Sequence, residues 1–435
     1  MSGRLVGLIP LLLALTVLGG CVSRSAPPPG DVVLMLRATP DQLPVWQKAV
    51  DAFKEATKIG VTLQNEPYDR YFTKLQTMIA GGKPPDVVFM ESTRFPEFAA
   101  KGALENLNPY LQPQTEIKRE DFFPTAWQAC QYQGSTYGLP SDLAVLAVAY
   151  DVNRLELAAL HEPQAGWTWD EYLKMAQELT TDRDGNGRTD HWGTTICPWW
   201  QVYVWQNGGE LVDDVQQPQR STLSTPAAQE ALQFLADLHA KHQVAPSMSL
   251  TRGMGRVDAF VAGTVAMVYT GRWDGAQLSK SDSRWNTVAL PQGKQAANLG
   301  FGSCFSIAKG APHAADAWKL ISFLAGTDGQ KIMLGGGFST PARQALVASE
   351  YFAGGSPGNG PGAFADGLKV MRPVPFTTQY AQISEIWEQE LDLLWAGQAT
   401  VQEVTQRIDE KVDKVLAEAK PATAWLLPVT FSPSL

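Results

Sequence analysis

Three tryptophans stand where an indole could bind the flat apolar face of a ligand. Trp199 and Trp200 follow Pro198 in a predicted loop, and two adjacent side chains there cannot both point into one core face. Trp273 follows an apolar run at 264–269, at the carboxyl end of a predicted strand, where α/β sheets bind ligands. Indole is rigid and apolar with one N–H donor, so the C–H face of a sugar stacks well on it. We therefore expect ligand contacts from all three, with packing in a core or at an edge as the alternative.

Polar side chains lie at the ends of neighbouring predicted strands. Glu91 ends one apolar strand, Asp142 begins another, and Arg37 directly follows the first strand. Tyr68 and Asp69 follow the second strand. A carboxylate at such a position can accept paired, charge-assisted hydrogen bonds from sugar hydroxyls. These side chains are therefore candidate ligand-binding residues, and the alternative for each acid is a solvated loop position or a helix cap.

A short acidic loop has the spacing of a calcium ligand set. Asp182, Asp184 and Asn186 provide oxygens at alternate positions, Gly187 suits the sharp turn, and Asp190 follows. The twelfth position, which in such loops holds a bidentate glutamate, is a glycine. Calcium is thus one hypothesis. The other, which the missing glutamate favours, is a metal-free turn closed by Asp and Asn side chains. No other cofactor is predicted.

Motifs of the common enzyme classes do not support catalysis. The chain has no HExxH, P-loop or GxGxxG sequence. A GxSxG sequence at 354–358 lies in a Gly- and Pro-rich stretch with Pro357 directly after the serine, whereas a nucleophile elbow needs a strand-to-helix turn. We predict that the protein is not an enzyme. A lipid-anchored glycoside hydrolase is the alternative, because it would also be rich in Trp and needs two carboxylates facing one bond.

The elements that position these residues begin with an alternating pattern. Apolar runs typical of strands occur at 32–36, 60–63 and 86–90, and helical spacing of apolar residues occurs at 45–53 and 71–79. Strand, helix, strand, helix, strand predicts a parallel sheet with helices on its faces. The carboxyl ends of these strands would form one edge, and binding sites in such sheets lie beyond it.

The rest of the chain continues as an α/β pattern. The apolar run at 143–150 is long for one strand and could pass from one domain into the next. A Thr-x-x-Glu capping box at 168–171 begins a predicted helix. Further predictions are helices at 168–180, 225–242 and 312–325, buried strands at 264–269 and 301–308, a loop at 353–362, and two helices within 380–419.

The N-terminal segment predicts export. Arg4 precedes an apolar run at 5–17 that is too short to span a bilayer, as in a secretory signal peptide. The sequence LGGC at 18–21 resembles the lipobox of bacterial lipoproteins, which implies a signal peptide at 1–20, a lipidated Cys21 and a Pro-rich tether at 21–30. We expect an exported protein that touches the membrane only through its lipid anchor, on the periplasmic or extracellular face.

Composition bounds the fold and the partners. The 435 residues are 44% hydrophobic and 18% charged, which indicates a globular chain of two or three domains. The formal net charge of −9 argues against a nucleic-acid partner, which needs clustered Lys and Arg. Beyond Cys21 the chain has Cys130, Cys197 and Cys304. Two arrangements are possible: one disulfide with one buried thiol, or three buried thiols.

Short sequence elements along nearly the whole chain resemble one family. Their order and spacing are similar to those of the bacterial extracellular solute-binding proteins, family 1, the maltose-binding-protein-like subunits that serve ABC importers for sugars. Each element alone is weak, and the order carries the resemblance. The elements are AGGKPPDVV at 80–88, YGLP at 137–140, WTWDE at 167–171, NGG at 207–209, GTVAM at 263–267, GRW at 271–273 and PAR at 341–343.

The resemblance implies an α/β fold of the type II periplasmic-binding-protein kind. Two lobes, each a sheet flanked by helices, would be joined by crossover strands around a ligand cleft. Lobe one would span 31–142 plus 303–345, and lobe two 143–302 plus 346–435. Arg372 would lie near an arginine that some relatives place on the ligand, where a guanidinium suits a phosphate, a carboxylate or a polyol. Gly300 and Gly302 would let the backbone approach the ligand, with tight packing as the alternative.

The resemblance also implies a function. The chain would be a monomeric substrate-binding subunit of an ABC importer that captures a mono- or oligosaccharide, a polyol or a glycerol phosphate. Closure of the lobes on the ligand would present the loaded form to a membrane permease. A sensor subunit, which would report the same ligand to a receptor, is a second alternative beside the hydrolase.

Overall fold

The computed structural model describes residues 30–112, 116–349 and 361–418. The predicted signal peptide, Cys21, the tether up to residue 29 and the GxSxG sequence at 354–358 lie outside these residues. None of the described helices combines the length and the apolar character needed to cross a membrane.

Strands and helices alternate over most of the described chain. The strands are β1 Val32–Leu36, β2 Val61–Asn65, β3 Val87–Glu91, β4 Gln131–Tyr132, β5 Ser135–Thr136, β6 Gly138–Ala144, β7 Leu146–Asp151, β8 Met267–Gly271, β9 Trp285–Ala289, β10 Asn298–Leu299, β11 Phe301–Ile307 and β12 Met371–Arg372. The α-helices are α1 Leu43–Thr57, α2 Tyr68–Ala80, α3 Phe95–Ala100, α4 Pro124–Gln128, α5 Val152–Leu157, α6 Trp169–Glu178, α7 Gln201–Gln206, α8 Pro226–Ala240, α9 Met248–Met254, α10 Arg256–Val261, α11 Gly275–Leu278, α12 Ala314–Ala325, α13 Thr327–Gly335, α14 Pro361–Lys369, α15 Tyr380–Trp395 and α16 Val401–Glu418.

A five-stranded sheet in the order β2-β1-β3-β11-β6 forms the first lobe. β1 pairs in parallel with both β2 and β3, as the alternating pattern predicts. β11, for which the sequence predicts no direction, runs antiparallel to β3 and to β6, so the sheet is mixed. β11 returns from the other lobe and enters the sheet from the opposite end, which reverses its direction.

A three-stranded antiparallel sheet, β8-β7-β9, forms the second lobe. Only Val145 separates β6 from β7, and only Gly300 separates β10 from β11, so the chain crosses between the lobes at both points. The long apolar run at 143–150 is therefore a crossing, as predicted. Asn298 ties the two crossings together, because its side chain accepts from Leu146 N at 2.9 Å and donates to Leu146 O at 2.8 Å. The lobe boundaries at 142, 302 and 345 stay predictions.

Each lobe has a core formed where helices pack on its sheet. α1 buries Trp46 and Phe53 against the first sheet. The apolar face of α16 that helical spacing predicts is buried in the second lobe: Val401, Val404, Ile408, Val412 and Leu416. Each such side chain contributes about 1.5–3 kcal/mol when fully buried, so these helix faces hold the sheets in place.

Several element boundaries differ from the predictions. The apolar run at 264–269 becomes a strand only at Met267, because the preceding residues form a turn in which Val265 bridges to Trp192. The helix predicted at 312–325 begins at Ala314, and α14 takes in the last two residues of the loop predicted at 353–362. The capping box is confirmed, since the side chains and backbones of Thr168 and Glu171 bond reciprocally.

A disulfide joins Cys130 to Cys304, and Cys197 is a buried free thiol. Of the two arrangements that the sequence leaves open, the disulfide with one thiol is therefore correct. Cys304 lies on β11, and Cys130 lies between α4 and β4, 174 residues earlier. The disulfide thus fastens the returning strand to the first part of its lobe.

Asp86, within the AGGKPPDVV element, is fully buried beside the first sheet. Its carboxylate accepts from Val33 N at 2.9 Å and from His313 N at 2.8 Å, and it contacts His313 Nδ1 at 3.1 Å. A buried carboxylate is tolerated when it is paired in this way. This part of the family element therefore connects β1 to the start of α12 and has a structural role.

Candidate functional site

A cavity of about 800 Å³ lies between the two lobes. The carboxyl ends of β1 and β3 border it on the first lobe, and α7, the turn after β8 and the first half of α15 border it on the second. Pockets of roughly 300–1,000 Å³ with apolar walls and a few polar groups bind small organic ligands. The predicted site residues that line it are Arg37, Tyr68, Asp69, Glu91, Asp142, Trp199, Trp273 and Gly302.

The first-lobe wall carries a charged cluster at the ends of β1 and β3. Because these strands are parallel neighbours, Arg37 and Glu91 meet and form an ion pair. The Arg37 guanidinium lies 4.6 Å from the centre of the Tyr68 ring, and the Tyr68 hydroxyl donates to Glu91 at 3.4 Å. The charge of the Glu91 carboxylate raises the pKa of the Tyr68 phenol. The cluster therefore presents fixed donors and acceptors, with Asp69 exposed at its rim.

Asp142, on β6, adds a third carboxyl group to this wall, beside Glu91 and Asp69. Burial raises the pKa of that group to about 6 from its ordinary value of 3.8, although hydrogen bonds from Ser303 and the charge of Arg37 act to lower the pKa. At neutral pH the carboxylate is ionised but poorly solvated, so the hydroxyl donors of a ligand would stabilise it. Asp142 is therefore suited to accept hydrogen bonds from a bound ligand.

The raised pKa predicts a pH-dependent affinity that Asp142→Asn removes. Ligand hydroxyls that donate to Asp142 favour its ionised form, so affinity should rise severalfold between about pH 5 and pH 7 and then level off. The stability of the ligand-free protein should depend on pH with the opposite sign. The folded state holds the proton of Asp142 more tightly than the unfolded chain does, so the contribution of this group to stability falls as the pH rises from about 4 to about 6. Calorimetric titration and thermal unfolding measure the two slopes. Equal slopes in wild type and Asp142→Asn would contradict the assignment.

Trp199 and Trp273 form the wall of the second lobe, and we call this pair the aromatic corner. Their ring centres are 5.9 Å apart with an interplanar angle of 70°, an edge-to-face arrangement. Both side chains are half-buried and line the cavity. Gly271 makes room for this geometry, because a Cβ at that position would come within 2.2 Å of the Trp273 ring. The aromatic corner therefore offers rigid apolar surface across the cleft from the polar wall.

Trp200 is not part of the aromatic corner. It is 6% exposed and packs edge-to-face on Trp387 of α15, with ring centres 5.4 Å apart. Adjacent side chains at the start of α7 point in different directions, so Trp199 reaches the cavity while Trp200 enters the core. The predicted ligand contact of Trp200 is therefore corrected: the side chain packs in the core of the second lobe.

Arg372 and Gly300 also lie outside the cavity wall. The Arg372 guanidinium, on the short β12, pairs with Glu210 at 2.6 Å. A Cβ on Gly300 would come within 2.7 Å of the Arg372 carbonyl oxygen, so close backbone packing explains this glycine. The structure corrects both predicted ligand contacts. Gly302, by contrast, does line the cavity.

Part of the cavity wall was not predicted from the sequence. Tyr380, Ser384 and Glu388 share one face of α15 at four-residue spacing and line the cavity. Gln201 on α7 and Arg94 before α3 line it as well. The spacing of Tyr380, Ser384 and Glu388 was visible in the sequence. What the sequence does not show is that a helix near the C-terminus borders the same cavity as the ends of β1 and β3.

The acidic loop after α6 is exposed and bonds to itself. Carboxylate oxygens of Asp182, Asp184 and Asp190 lie within 4.8 Å of one another, a spacing that a cation could bridge. Asp182 already accepts from two backbone N–H groups at 2.8 and 2.6 Å, and Asp184 accepts from Asn186. The loop is thus closed by its own side chains, and calcium binding stays a prediction.

A calcium titration of the thermal midpoint tests this loop. A cation that binds only the folded state stabilises it by about 2.7 kcal/mol at a hundredfold excess over its Kd. If the loop binds calcium, the midpoint should rise with calcium in the wild type and stay constant in Asp182→Asn; the metal-free turn, which the missing glutamate favours, predicts a constant midpoint in both. A constant midpoint in the wild-type protein would remove the calcium hypothesis and leave a self-closed turn.

The fold and the cleft define a class of protein: a two-lobed binding protein whose crossing strands join two α/β lobes around a ligand cleft. The model of the bacterial extracellular solute-binding protein family matches residues 39–331, and the chain belongs to that family. The type II periplasmic-binding fold that the resemblance implies is confirmed.

Known proteins are similar over most of the chain. An ABC substrate-binding protein from Listeria monocytogenes, solved in complex with cycloalternan, aligns with a TM-score of 0.82 and 24% identity over 89% of this chain and 99% of its own. A curated relative from Brucella abortus (strain 2308) is 24% identical over 382 residues, which are 86% of this chain and 90% of that protein. The erythritol/L-threitol-binding protein of Mycolicibacterium smegmatis is 23% identical over 336 residues, 70% of this chain and 69% of its own.

Proposed function

We propose that this protein is the substrate-binding subunit of an ABC importer and captures a sugar or a related polyol between its lobes. The observation that carries the proposal is the pairing of the aromatic corner on one lobe with the wall of Arg37, Glu91 and Asp142 on the other. A carbohydrate ring has apolar C–H faces and a rim of hydroxyl groups. It therefore suits a cleft with one apolar wall and one hydrogen-bonding wall.

The charges of the cleft favour a neutral ligand over a phosphate. Arg37 pairs with Glu91, and Arg94 pairs with Glu97 at 3.1 Å, so neither guanidinium carries an unbalanced charge into the cavity. Glu388 and Asp142 add negative charge to the walls. The names of similar proteins, which include cycloalternan and erythritol or L-threitol as ligands, support a polyhydroxyl compound. Of the ligand classes expected from the sequence, glycerol phosphate fits these charges least.

Ligand binding would act by favouring the closed arrangement of the lobes. A ligand that contacts both walls stabilises closure only by its greater affinity for the closed form. Two contacts join the lobes in the arrangement seen here: Lys280 lies 3.8 Å from Asp41 at the surface, and Arg272 Nε donates to Ser339 O at 2.9 Å. The closed, loaded protein would then dock on its permease as a monomer.

Lipid anchoring would keep the protein beside that permease. The LGGC sequence ending at Cys21 supports export and lipidation, and the Pro-rich tether would let the lobes reach the transporter. Mass spectrometry of the membrane fraction tests this part, since lipidation adds an acyl mass to a chain that begins at Cys21. Cys21→Ser should no longer be retained in the membrane fraction. Recovery of an unlipidated wild-type chain, or membrane retention of Cys21→Ser, would contradict lipid anchoring.

A ligand panel read by tryptophan fluorescence tests the central proposal. We would titrate purified protein with maltose, maltotriose, erythritol and sn-glycerol 3-phosphate, because the half-buried indoles of the aromatic corner should report occupancy. At least one neutral sugar or polyol should give a saturable change, and the phosphate should give none. Saturable binding of the phosphate alone would contradict the proposal of a neutral ligand. If the fluorescence does not change with any compound, even when the panel is widened to many sugars, carbohydrate binding is contradicted.

Two experiments separate the proposal from its alternatives. A glycoside hydrolase would release product from candidate glycans without tight stoichiometric binding, so chromatography of the incubation mixture distinguishes it from a binding protein. A sensor subunit would leave uptake intact when its gene is deleted, whereas an importer subunit would abolish uptake of its own ligand. Product formation, or normal uptake in the deletion strain, would overturn the importer proposal.

A further inference from the structure

Two charged residues stand behind the aromatic corner without lining the cavity. The Arg256 guanidinium lies 4.9 Å from the centre of the Trp199 ring and covers one of its faces. Arg256 also pairs with Asp274 at 2.5 Å, and the side chains of the two residues are 19% and 9% exposed. The pair is therefore largely shielded from water, where charge-assisted contacts are stronger than at an open surface.

Asp274 holds the turn that carries Trp273. Its carboxylate accepts from the Thr270 hydroxyl at 3.0 Å and from Gly271 N at 3.3 Å, in addition to Arg256. Thr270 and Gly271 end β8, and Trp273 is the middle residue of the 3-10 turn Arg272–Asp274 that follows. The backbone on the N-terminal side of Trp273 is thus fixed by the same carboxylate that fixes the guanidinium on Trp199.

These contacts connect the two rings through one ion pair. Arg256 orients Trp199 from behind, Asp274 orients the turn of Trp273, and each is held by the other. Because one face of Trp199 is occupied by the guanidinium, only its other face and its edge are available toward Trp273 and the cavity. A ring fixed before the ligand arrives loses less conformational freedom on binding, which strengthens binding without any added ligand contact.

We propose that Arg256 and Asp274 are positioning residues that hold Trp199 and Trp273 in the edge-to-face geometry that meets the ligand. The ligand part of this inference rests on the function proposed above. The geometric part does not, because the corner is formed without ligand. The two parts therefore need separate measurements.

Circular dichroism measures the geometric part without any ligand. Two indoles at this distance and angle couple their electronic transitions and contribute an exciton couplet in the far ultraviolet. Trp200 and Trp387 form a second edge-to-face pair, so the couplet of the aromatic corner is measured as the difference between the spectra of wild type and Trp273→Phe. We expect Arg256→Leu to lose most of that couplet and Arg256→Lys to retain part of it, since lysine keeps the charge for Asp274 but lacks a planar group for Trp199. Arg284→Leu is the matched control, because Arg284 forms an exposed ion pair with Glu156 in the same lobe.

Asp274→Asn keeps the result interpretable if Arg256→Leu folds poorly. Asparagine can still accept from Thr270 and Gly271 but no longer pairs with a charge, so the couplet should weaken while cooperative unfolding persists. A couplet of wild-type size in folded Arg256→Leu or folded Asp274→Asn would overturn the inference. Equal loss in Arg284→Leu would do the same, because the effect would then not be local.

The ligand part uses whichever sugar or polyol of the fluorescence panel binds the wild type. Arg256→Leu should weaken that binding by about tenfold, a loss typical of a misplaced aromatic contact, and Arg256→Lys should restore part of it. Unchanged affinity in a variant that has lost the couplet would overturn the positioning role in binding. If no panel member binds the wild type, the proposed function fails, and the couplet still decides whether Arg256 and Asp274 hold the corner.

Discussion

Replacing Trp273 by alanine is expected to weaken binding of the panel sugar by about 10- to 100-fold, as loss of a buried aromatic contact worth ~1.5–3 kcal/mol would do. Trp273 lines the cavity, and its ring also supports Trp199 through the edge-to-face contact. The substitution thus removes one apolar face and loosens the other. Calorimetric titration of wild type and variant with the same ligand measures the difference.

Trp318→Ala provides the matched control for this substitution. Trp318 lies on α12 in the first lobe, where it stacks on Tyr110 with ring centres 5.1 Å apart, and it does not line the cavity. It should lower stability but leave affinity unchanged within about twofold, since it touches neither wall of the cleft. Trp273→Phe should fall between wild type and alanine. Equal affinity of wild type and Trp273→Ala would remove Trp273 from the ligand site.

Local pattern explains which parts of the fold could be predicted. Apolar spacing identified the first three strands and the helices between them, and the apolar run at 143–150 indicated a crossing before any contact was known. The direction of β11 was not predictable in this way. Its sequence reads as a buried strand whichever way it runs, and its antiparallel pairing depends on where the chain returns from the second lobe.

The same reasoning separates the predicted site residues that line the cavity from those that do not. Arg37 and Glu91 were found because parallel strands bring their carboxyl ends to one edge, which is a rule of the sheet itself. Trp200 and Arg372 point away from the cavity, contrary to the prediction, because residue type and loop position do not determine where a side chain points. The cavity-lining face of α15 was not predicted for a third reason: it depends on where a helix distant in sequence from β1 and β3 lies, which no local spacing encodes.

Removal of the disulfide is expected to lower the free energy of unfolding by about 2–5 kcal/mol. The bond joins residues 174 apart in sequence, so it restricts the unfolded chain strongly, and both cysteines are fully buried in the first lobe. The double variant Cys130→Ala/Cys304→Ala avoids placing hydroxyl groups in that core. Urea unfolding with and without a thiol reductant measures the loss.

The control and the ligand affinity decide what the disulfide does. Reductant should lower wild-type stability toward that of the double variant and leave the double variant unchanged, while Cys197→Ala, which removes the buried free thiol, should stay sensitive to reductant. Ligand affinity of the folded double variant should stay within about twofold of wild type, because backbone pairing of Ser303 with Glu91 and Asp142 keeps β11 in register without the bond. Equal stability in the presence and absence of reductant would contradict the stabilising role. If the double variant is fully folded but binds the ligand more weakly than wild type, the disulfide, and not the sheet, sets the position of the polar wall.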